Sequence, residues 1–391
     1  MWLGQKIQAV PRPAGLSAVW RRENCTGDTQ GVNQTGNSTP SAGRLEWIDA
    51  AKGLCIALVA LHHSSLSAML PAASELLGLV RMPLFFFLSG IFMDASRPVS
   101  RFLVKRADAW LKPYVVVLTV AAVLTAATQS GSMIWHLQHA LYGSGLRLHG
   151  AFVPLWFLPH LFLVSVVSYC LLKYTSFDRL GWWGGALCLA AGLWVCSVGL
   201  NHFVTWRLDG FGFSLQLQGL PFGADLLLVT LGFFQAGYLA RSVIERFAPR
   251  LAYCCIALGI LVVITLWSDA KLDLFRRVMT APVAVYAGAG AGIYVLLSLV
   301  FYVMRWRPVA NVLLAMGRGS LFILLFHLVV QISLAIPILY LWPQAGDLWV
   351  GLTVYVMSLV APLWFRNLTS RSRILSSLLL PRLHRTLQCR E

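Results

Sequence analysis

Two neighbouring histidines, His62 and His63, lie inside the apolar stretch that follows Trp47. A histidine is costly to place in lipid, and its imidazole can act as a general base or a nucleophile near neutral pH. Lys52 precedes His63 by eleven residues, which on a helix puts both side chains on one face, about 16 Å apart along the axis. Asp49 lies three residues before Lys52, where the two can pair. The spacing predicts a helix face with an imidazole at one end and an ion pair at the other.

His62 points about 100° away from His63 around the same helix, so it is the better candidate of the two for a structural role. His63 has two interpretations. An ionisable group deep in a membrane helix is a functional candidate by default, but a histidine that hydrogen-bonds another helix needs no further function. The same two interpretations apply to His327, in the apolar segment that follows Gly317.

A basic segment, "SRFLVKRADAWLKPY", follows the second apolar stretch. Its cations Arg101, Lys105 and Arg106 are of the type that binds phosphate groups. The alternative is a loop that is basic only because it lies on the cytoplasmic side of a membrane.

Two more polar positions lie in apolar surroundings. Ser89, at the end of "RMPLFFFLS", is followed by Gly90, and two small residues in a row allow another helix to approach closely. His160, in "PLWFLPHLF", belongs either to an aromatic belt at the membrane surface or to the wall of an outer cavity.

The composition assigns the chain to the membrane proteins. Of its 391 residues, 58% are hydrophobic and only 12% charged, whereas soluble domains are nearer half apolar and a quarter charged. Apolar runs of about 17–25 residues predict transmembrane helices. The predicted fold class is therefore all-α, a polytopic membrane protein with about ten transmembrane helices. The predicted spans are residues 53–70, 79–93, 113–130, 153–172, 182–200, 220–240, 251–267, 281–304, 319–341 and 348–365.

The formal net charge of +16 is explained by topology. With the N-terminus in the cytoplasm, 25 of the 31 Lys and Arg residues fall on inner segments, as the positive-inside rule requires. Both termini are then cytoplasmic. Arg81 is counted among the other six, just inside the outer end of the second span. No nucleic-acid-binding module is indicated, and nucleic acid is not an expected partner.

Three regions follow from this pattern. Residues 1–43 predict a disordered cytoplasmic tail, residues 44–365 the membrane domain, and residues 366–391 a basic cytoplasmic tail. The eight cysteines show no metal-ligand spacing, so we expect no metal site. Gly288 and Gly292 have the spacing that permits close contact between helices.

In their order along the chain, these stretches resemble the acyltransferase-3 family of integral-membrane O-acyltransferases, and within it the fucose 4-O-acetylase-like branch. The pattern D-x-x-K-G-x-x-I-x-x-V-x-x-x-H runs from Asp49 to His63, and "MPLFFFLSG", "KRADAWLKPY", "LWFLPHL", "FFQAGYL" and "GRGSLFILLFH" follow. The resemblance covers residues 44 to about 365. Two positions depart from it, since the family often has Arg at the position of Lys52 and Gly at that of His62.

The resemblance implies an enzyme of the bacterial inner membrane that moves an acyl group, usually acetyl, from cytoplasmic acyl-CoA to a hydroxyl of a polysaccharide or lipid-linked glycan. Acetyl-CoA is then the expected cofactor, and the glycan acceptor and membrane lipid are the expected partners. No oligomeric state is indicated.

The resemblance also implies roles for particular residues. His63 would be essential for transfer, as a neutral general base or as the carrier of an acyl group, with Lys52 and Asp49 at the inner end of its helix face. The cations Arg101, Lys105 and Arg106 would bind the phosphates of CoA. The substrate channel would be lined by Ser89, His160 and His327.

Two other functions are compatible with the sequence. A transporter of glycan or lipid would use the intramembrane histidines as a proton relay, although no duplication relates residues 44–200 to 201–365. A membrane O-acyltransferase of a different fold would place His202, beside Asn201, or His327 in the catalytic role. Asn201 and His202 fall in a predicted outer loop.

Overall fold

A computed structural model describes residues 43–128, 133–175, 177–198, 200, 207–210, 213–216, 219–342, 344 and 346–381. The predicted tail over residues 1–43 lies outside the described residues except for Gly43. Residues 382–391 of the predicted C-terminal tail, and the pair Asn201 and His202, also lie outside them.

The membrane domain is built from α-helices, because apolar segments in lipid satisfy their backbone groups within a helix. The helices of the first half are α1 (Gly43–His63), α2 (Leu66–Met69), α3 (Pro71–Ile91), α4 (Val99–Arg106), α5 (Lys112–Thr128), α6 (Met133–Tyr142), α7 (Phe157–Tyr174), α8 (Phe177–Leu180) and α9 (Trp182–Val198). Those of the second half are α10 (Leu227–Glu245), α11 (Leu251–Trp267), α12 (Pro282–Val303), α13 (Arg307–Arg318), α14 (Ser320–Leu341), α15 (Asp347–Arg371) and α16 (Arg373–Leu379).

Shorter elements connect these helices. A π-helical turn (Ala107–Leu111) joins α4 to α5, and 3₁₀ segments cover Gly145–Arg147, Gly150–Trp156 and Pro221–Leu226. Two antiparallel hairpins pair β1 (Arg207–Gly210) with β2 (Phe213–Gln216) and β3 (Lys271–Asp273) with β4 (Val278–Thr280).

The prediction of an all-α polytopic membrane protein is confirmed, since each of the ten predicted spans falls on a helix. In the described part of the chain, seven helical segments are long and apolar enough to cross a membrane, namely Pro71–Ile91, Val99–Ala127, Gly150–Tyr174, Pro221–Glu245, Pro282–Val303, Ser320–Leu341 and Asp347–Arg371. Trp182–Val195 and Leu251–Trp267 are shorter apolar helices. The number of crossings and the side of each terminus stay predictions.

The predicted first span, residues 53–70, has the wrong bounds. Helix α1 ends at His63. Three side chains take up the backbone carbonyls that a helix end leaves open: Ser64 Oγ donates to Leu61 O (2.7 Å), Ser67 Oγ to His62 O (2.9 Å) and Gln331 Nε2 to Ala60 O (2.9 Å). An unsatisfied carbonyl costs several kcal/mol in lipid, so these partners permit a break there.

The predicted second span, residues 79–93, is also wrong at its start. Helix α3 begins at Pro71, a residue that suits the first turn of a helix because it has no N–H to leave unpaired. The 21-residue helix is long enough to cross without the thinning or tilt that a short span would need. Arg81 therefore lies at the midpoint of α3 and not near its outer end.

Two pairs of helices meet backbone against backbone at glycines. On α1, a Cβ at Gly53 would lie 2.0 Å from Leu313 O of α13, and one at Gly317 of α13 would lie 1.9 Å from Asp49 O. Helices α3 and α10 repeat this arrangement. There, a Cβ at Gly90 would lie 1.9 Å from Phe234 O, and one at Gly237 would lie 1.9 Å from Phe87 O. The predicted approach of a helix at Gly90 is confirmed.

Helix α12 also packs closely through small residues. A Cβ at Gly292 would lie 2.2 Å from Val80 Cγ2 of α3, and one at Gly288 would lie 3.3 Å from Leu79 Cδ1. The prediction that Gly288 and Gly292 permit close helix contact is confirmed. Small residues let helices gain dispersion contacts at short range, which drives association in lipid.

We predict that Gly53→Ala destabilises the protein whereas Gly259→Ala does not. The Gly53 methyl must push α13 away, and overpacking of this kind typically costs about 1–3 kcal/mol. Gly259 is a matched control because a Cβ there meets nothing within 4 Å. The measurement is the midpoint of thermal unfolding of the purified full-length protein in detergent. Equal midpoints for the two variants would contradict the close contact.

Candidate active site

A cavity of about 450 Å³ opens between α1, α3, α14 and the β3–β4 hairpin. His62 and His63 line it where α1 ends, and Arg81 lines it from the middle of α3. Its remaining walls include Gly150 and the hairpin residues from Leu272 to Arg276, which the charge pattern places on the outer side of the membrane. The cavity therefore joins the histidine pair to loops on the predicted outer side.

His63 touches a second intramembrane histidine. Its ring centroid lies 5.3 Å from that of His327 on α14. The Nδ1 atom of His327 lies 2.8 Å from Ile323 O and 3.2 Å from Leu324 O, and because a carbonyl only accepts, Nδ1 carries the proton. In the neutral ring, Nε2 of His327 is then an acceptor, and this buried atom has no hydrogen-bond partner among the described residues.

His62 also lies at the cavity, although the sequence predicts that it faces away. Its ring meets that of His63 edge to face, with centroids 5.1 Å apart. Because α1 ends at these two residues, both side chains can turn into the same space. The Nδ1 atom of His62 is buried without a hydrogen-bond partner in the part of the chain that the structure describes.

The β3–β4 hairpin is held over the cavity by a buried ion pair. Arg277 Nε lies 2.9 Å from Asp225 Oδ2, and both side chains are fully buried. Arg277 also donates to Phe275 O (2.8 Å) and Ser144 Oγ (3.2 Å), and Asp225 Oδ1 accepts Leu220 N–H (2.9 Å). This network joins three connecting segments and fixes the hairpin residues that line the cavity.

None of the three predicted channel residues, Ser89, His160 and His327, lines the cavity. His160 is fully buried, with Nδ1 donating to Phe222 O (3.0 Å) and Nε2 accepting from Thr230 Oγ1 (3.0 Å). Both nitrogens are satisfied, so His160 ties α7 to α10 behind the wall that Trp156 and its neighbours form. Ser89 lies one turn beyond the cavity residue Phe85 and donates to Phe85 O (2.8 Å). Its role in a channel stays a prediction.

At the other end of α1, the predicted ion pair is present. Lys52 Nζ lies 3.1 Å from Asp49 Oδ1 and 4.0 Å from the ring centroid of Phe92, the residue that follows α3. Two arginines converge on the same segment: Arg106 donates to Phe92 O (3.3 Å) and Arg241 to Met93 O (3.4 Å).

We call Lys52, Arg106 and Arg241 the inner cationic cluster. Arg241 follows the motif "FFQAGYL" by two residues, a signal that sequence reasoning missed. Arg241 also lies 3.8 Å from Glu245.

The other two predicted phosphate-binding residues differ from Arg106. Arg101 is exposed, and Lys105 lies within electrostatic reach of Arg97, Arg106 and Asp94. Burial alone would raise the pKa of Asp94, but hydrogen bonds from Ser96 and Arg97 outweigh it and lower that pKa below its ordinary value. Asp94 is therefore ionised beside these cations.

The arrangement supports acid–base or nucleophilic chemistry by an imidazole. No group of three or more His, Cys, Asp or Glu side chains within the described residues is placed to hold a metal ion.

A family model described as "acyltransferase domain" matches residues 45–366. No curated protein and no solved structure matches the chain. The family match favours acyl transfer over transport, and the finer likeness to fucose 4-O-acetylase-like proteins stays a prediction.

We predict that Arg277→Met and Asp225→Asn are each strongly destabilising but less than additive together. Removing one partner leaves a buried charge uncompensated, at about 3–5 kcal/mol, and the double change removes that charge. Asn keeps an acceptor for Leu220 N–H. Thermal unfolding of the two single variants and the double variant measures the coupling. Additive effects would contradict a direct pair.

Proposed function

The chain belongs to the acyltransferase-3 family and is a multi-pass membrane acyltransferase, and we propose that it transfers acetyl from cytoplasmic acetyl-CoA to a hydroxyl of an exported polysaccharide or lipid-linked glycan. The bacterial inner membrane is the proposed location. The observation that carries the proposal is the contact of His63 with His327 beside a cavity lined by residues of Gly150–Trp156 and of the β3–β4 hairpin, which are predicted to lie on the outer side.

In the direct mechanism, His63 acts as the general base. The acceptor oxygen attacks the carbonyl carbon of the thioester while its proton passes to the free ring nitrogen of His63. Collapse of the tetrahedral intermediate breaks the C–S bond, and the proton on His63 passes to the departing sulfur. A positioned base of this kind contributes about 10²–10⁴-fold in rate.

His327 has a positioning role in this mechanism. Because its Nδ1 proton is donated to α14 carbonyls, only Nε2 can interact with another ring, and only as an acceptor. The two rings are in contact, with centroids 5.3 Å apart, but Nε2 of His327 has no hydrogen-bond partner among the described residues, so the mechanism requires His63 to turn and donate one N–H to it. A neutral His63 in that position keeps the lone pair of its other nitrogen for the acceptor hydroxyl. The partner thus selects the tautomer, as the groups behind catalytic histidines do elsewhere.

The covalent mechanism uses the same residues in a different order. His63 attacks the thioester carbonyl first, the C–S bond breaks, and CoA leaves as the thiol with the imidazole proton. The acceptor oxygen then attacks the acyl-imidazole, the C–N bond breaks, and the hydroxyl proton returns to the ring. This sequence lets donor and acceptor visit the site one after the other from opposite sides of the membrane. The geometry of the histidines supports either order.

The inner cationic cluster is the proposed site for the CoA phosphates. Arginine guanidinium groups bind phosphate through charge-assisted hydrogen bonds, and Lys52 adds a point charge on the His63 face of α1. Lys105 extends this surface, and a part for Arg101 stays a prediction because it is exposed. The donor would then enter from the inner side and direct its thioester towards the cavity.

We predict that His63→Ala lowers acetyl transfer about 10²–10⁴-fold, the contribution of a general base. His62→Ala, its matched control, keeps most of the activity because it does not contact His327. The measurement is transfer of labelled acetyl from acetyl-CoA to glycan in membranes with equal amounts of each variant. Full activity in His63→Ala would refute the mechanism.

We further predict that Arg106→Gln and Arg241→Gln raise the KM for acetyl-CoA several-fold with little change in kcat. Each removes binding energy that the ground state and transition state share. Arg305→Gln removes the same charge from an exposed position on the predicted inner side and is the control. If the three variants show the same KM, the inner cationic cluster does not bind the donor.

A further inference from the structure

Helix α3 carries a positive charge at its midpoint. Arg81 is the eleventh of the 21 residues Pro71–Ile91, and its half-buried side chain lines the same cavity as His62 and His63. No hydrogen bond or ion pair joins its guanidinium group to any residue that the structure describes. A charge at this depth marks a functional position by default.

Three other arginines of the membrane domain have close partners. Arg277 has the carboxylate of Asp225, and Arg106 and Arg241 have backbone carbonyls and neighbouring side chains. A charge withdrawn from water costs several kcal/mol unless a partner or a wet cavity compensates it. Arg81 differs because its guanidinium group faces a space large enough for a ligand.

Asp273, the acidic side chain that lines the cavity, lies within electrostatic reach of Arg81, but its hydrogen bond and its ion pair are with Arg276. Asp273 Oδ1 accepts Arg276 N–H (2.9 Å), and Oδ2 lies 3.8 Å from Arg276 Nε. With the imidazoles neutral, the charged side chains that line the cavity are Arg81, Arg276 and Asp273, which leaves one net positive charge. The cavity beside His63 therefore favours an anion.

We propose that Arg81 binds an oxyanion carried by the acceptor, so that the enzyme acylates a sugar bearing a carboxylate or a phosphate. The anion pairs with the planar guanidinium group, and a hydroxyl of the same sugar reaches His63. Two parallel N–H···O bonds fix the orientation of such a group, which a single ammonium cannot do. This inference rests on the proposed function and names the class of its acceptor.

The test measures binding without catalysis. Purified full-length protein in lipid nanodiscs is titrated with methyl glucuronide, glucose 1-phosphate and methyl glucoside, and Kd is read from the shift of thermal unfolding. Wild type is expected to bind at least one anionic probe about tenfold or more tighter than the neutral glucoside. A preference for the glucuronide indicates an acceptor with an acidic sugar. A preference for glucose 1-phosphate indicates an acceptor with a sugar phosphate, such as a lipid-linked glycan carries.

Three variants assign the preference. Arg81→Gln is expected to abolish it, and Arg81→Lys to keep a part. Lys271→Gln removes one positive charge from the same hairpin, at a side chain that does not line the cavity, and is expected to keep the preference within about threefold. Because Arg81→Gln could fail to fold, phenylglyoxal labelling of wild-type Arg81, read by mass spectrometry, gives a second measurement. Anionic probes should slow that labelling, and the neutral probe should not.

The proposal is overturned if wild type binds neither anionic probe more tightly than the glucoside, or if Arg81→Gln keeps the preference. Failure of the proposed function gives a different result. In that case the protein binds anionic probes through Arg81 but transfers no acetyl group. Conversely, equal acetylation of acidic and neutral acceptors would leave the acetyltransferase intact and refute the role of Arg81.

Discussion

Close backbone contact at four glycines is the constraint on which the site depends. Gly53 and Gly317 bring α1 against α13, and Gly90 and Gly237 bring α3 against α10, each with a backbone oxygen where a Cβ would have to be. In lipid no hydrophobic force draws helices together, so the gain comes from contacts that only close approach allows. Since α1 bears His63 and α3 bears Arg81, these contacts hold in place the two helices that carry the cavity residues.

The break after His63 is the second determinant of the site. A continuous helix would pack His63 into the turns above and below it, whereas a terminal residue can turn freely into a cavity. The side chains of Ser64, Ser67 and Gln331 donate hydrogen bonds to the carbonyls near the break. Irregular backbone at membrane depth is tolerated in such a place, because it is buried in protein and borders a cavity. The helix end therefore has two consequences. It requires these hydrogen bonds to its carbonyls, and it lets the imidazole of His63 turn into the cavity.

Much of the fold could be predicted from local pattern, and the misses have physical causes. Hydropathy located the helices, and the spacing of Asp49 and Lys52 predicted their ion pair. The end of α1 could not be read locally, because one of its carbonyl partners is Gln331, which lies 271 residues away in sequence. Hydropathy also missed the start of α3, since its first two turns include polar residues such as Glu75, and Arg81 was placed too near the outer surface as a result.

In the proposed function, helices α1 and α3 have the donor site at one end and the acceptor cavity at the other. The inner cationic cluster lies at the predicted inner end of this pair of helices. The cavity at the other end is lined in part by loops of the predicted outer side. Lys52 and His63 lie about 16 Å apart along α1, a distance comparable to the extended arm that joins the phosphates of CoA to its thioester. A donor held by its phosphates at one end can present its acyl carbon to His63 without crossing the membrane, and the acceptor can arrive from the other side. A single neutral imidazole between donor and acceptor can then catalyse transfer between substrates that enter from opposite sides of the membrane.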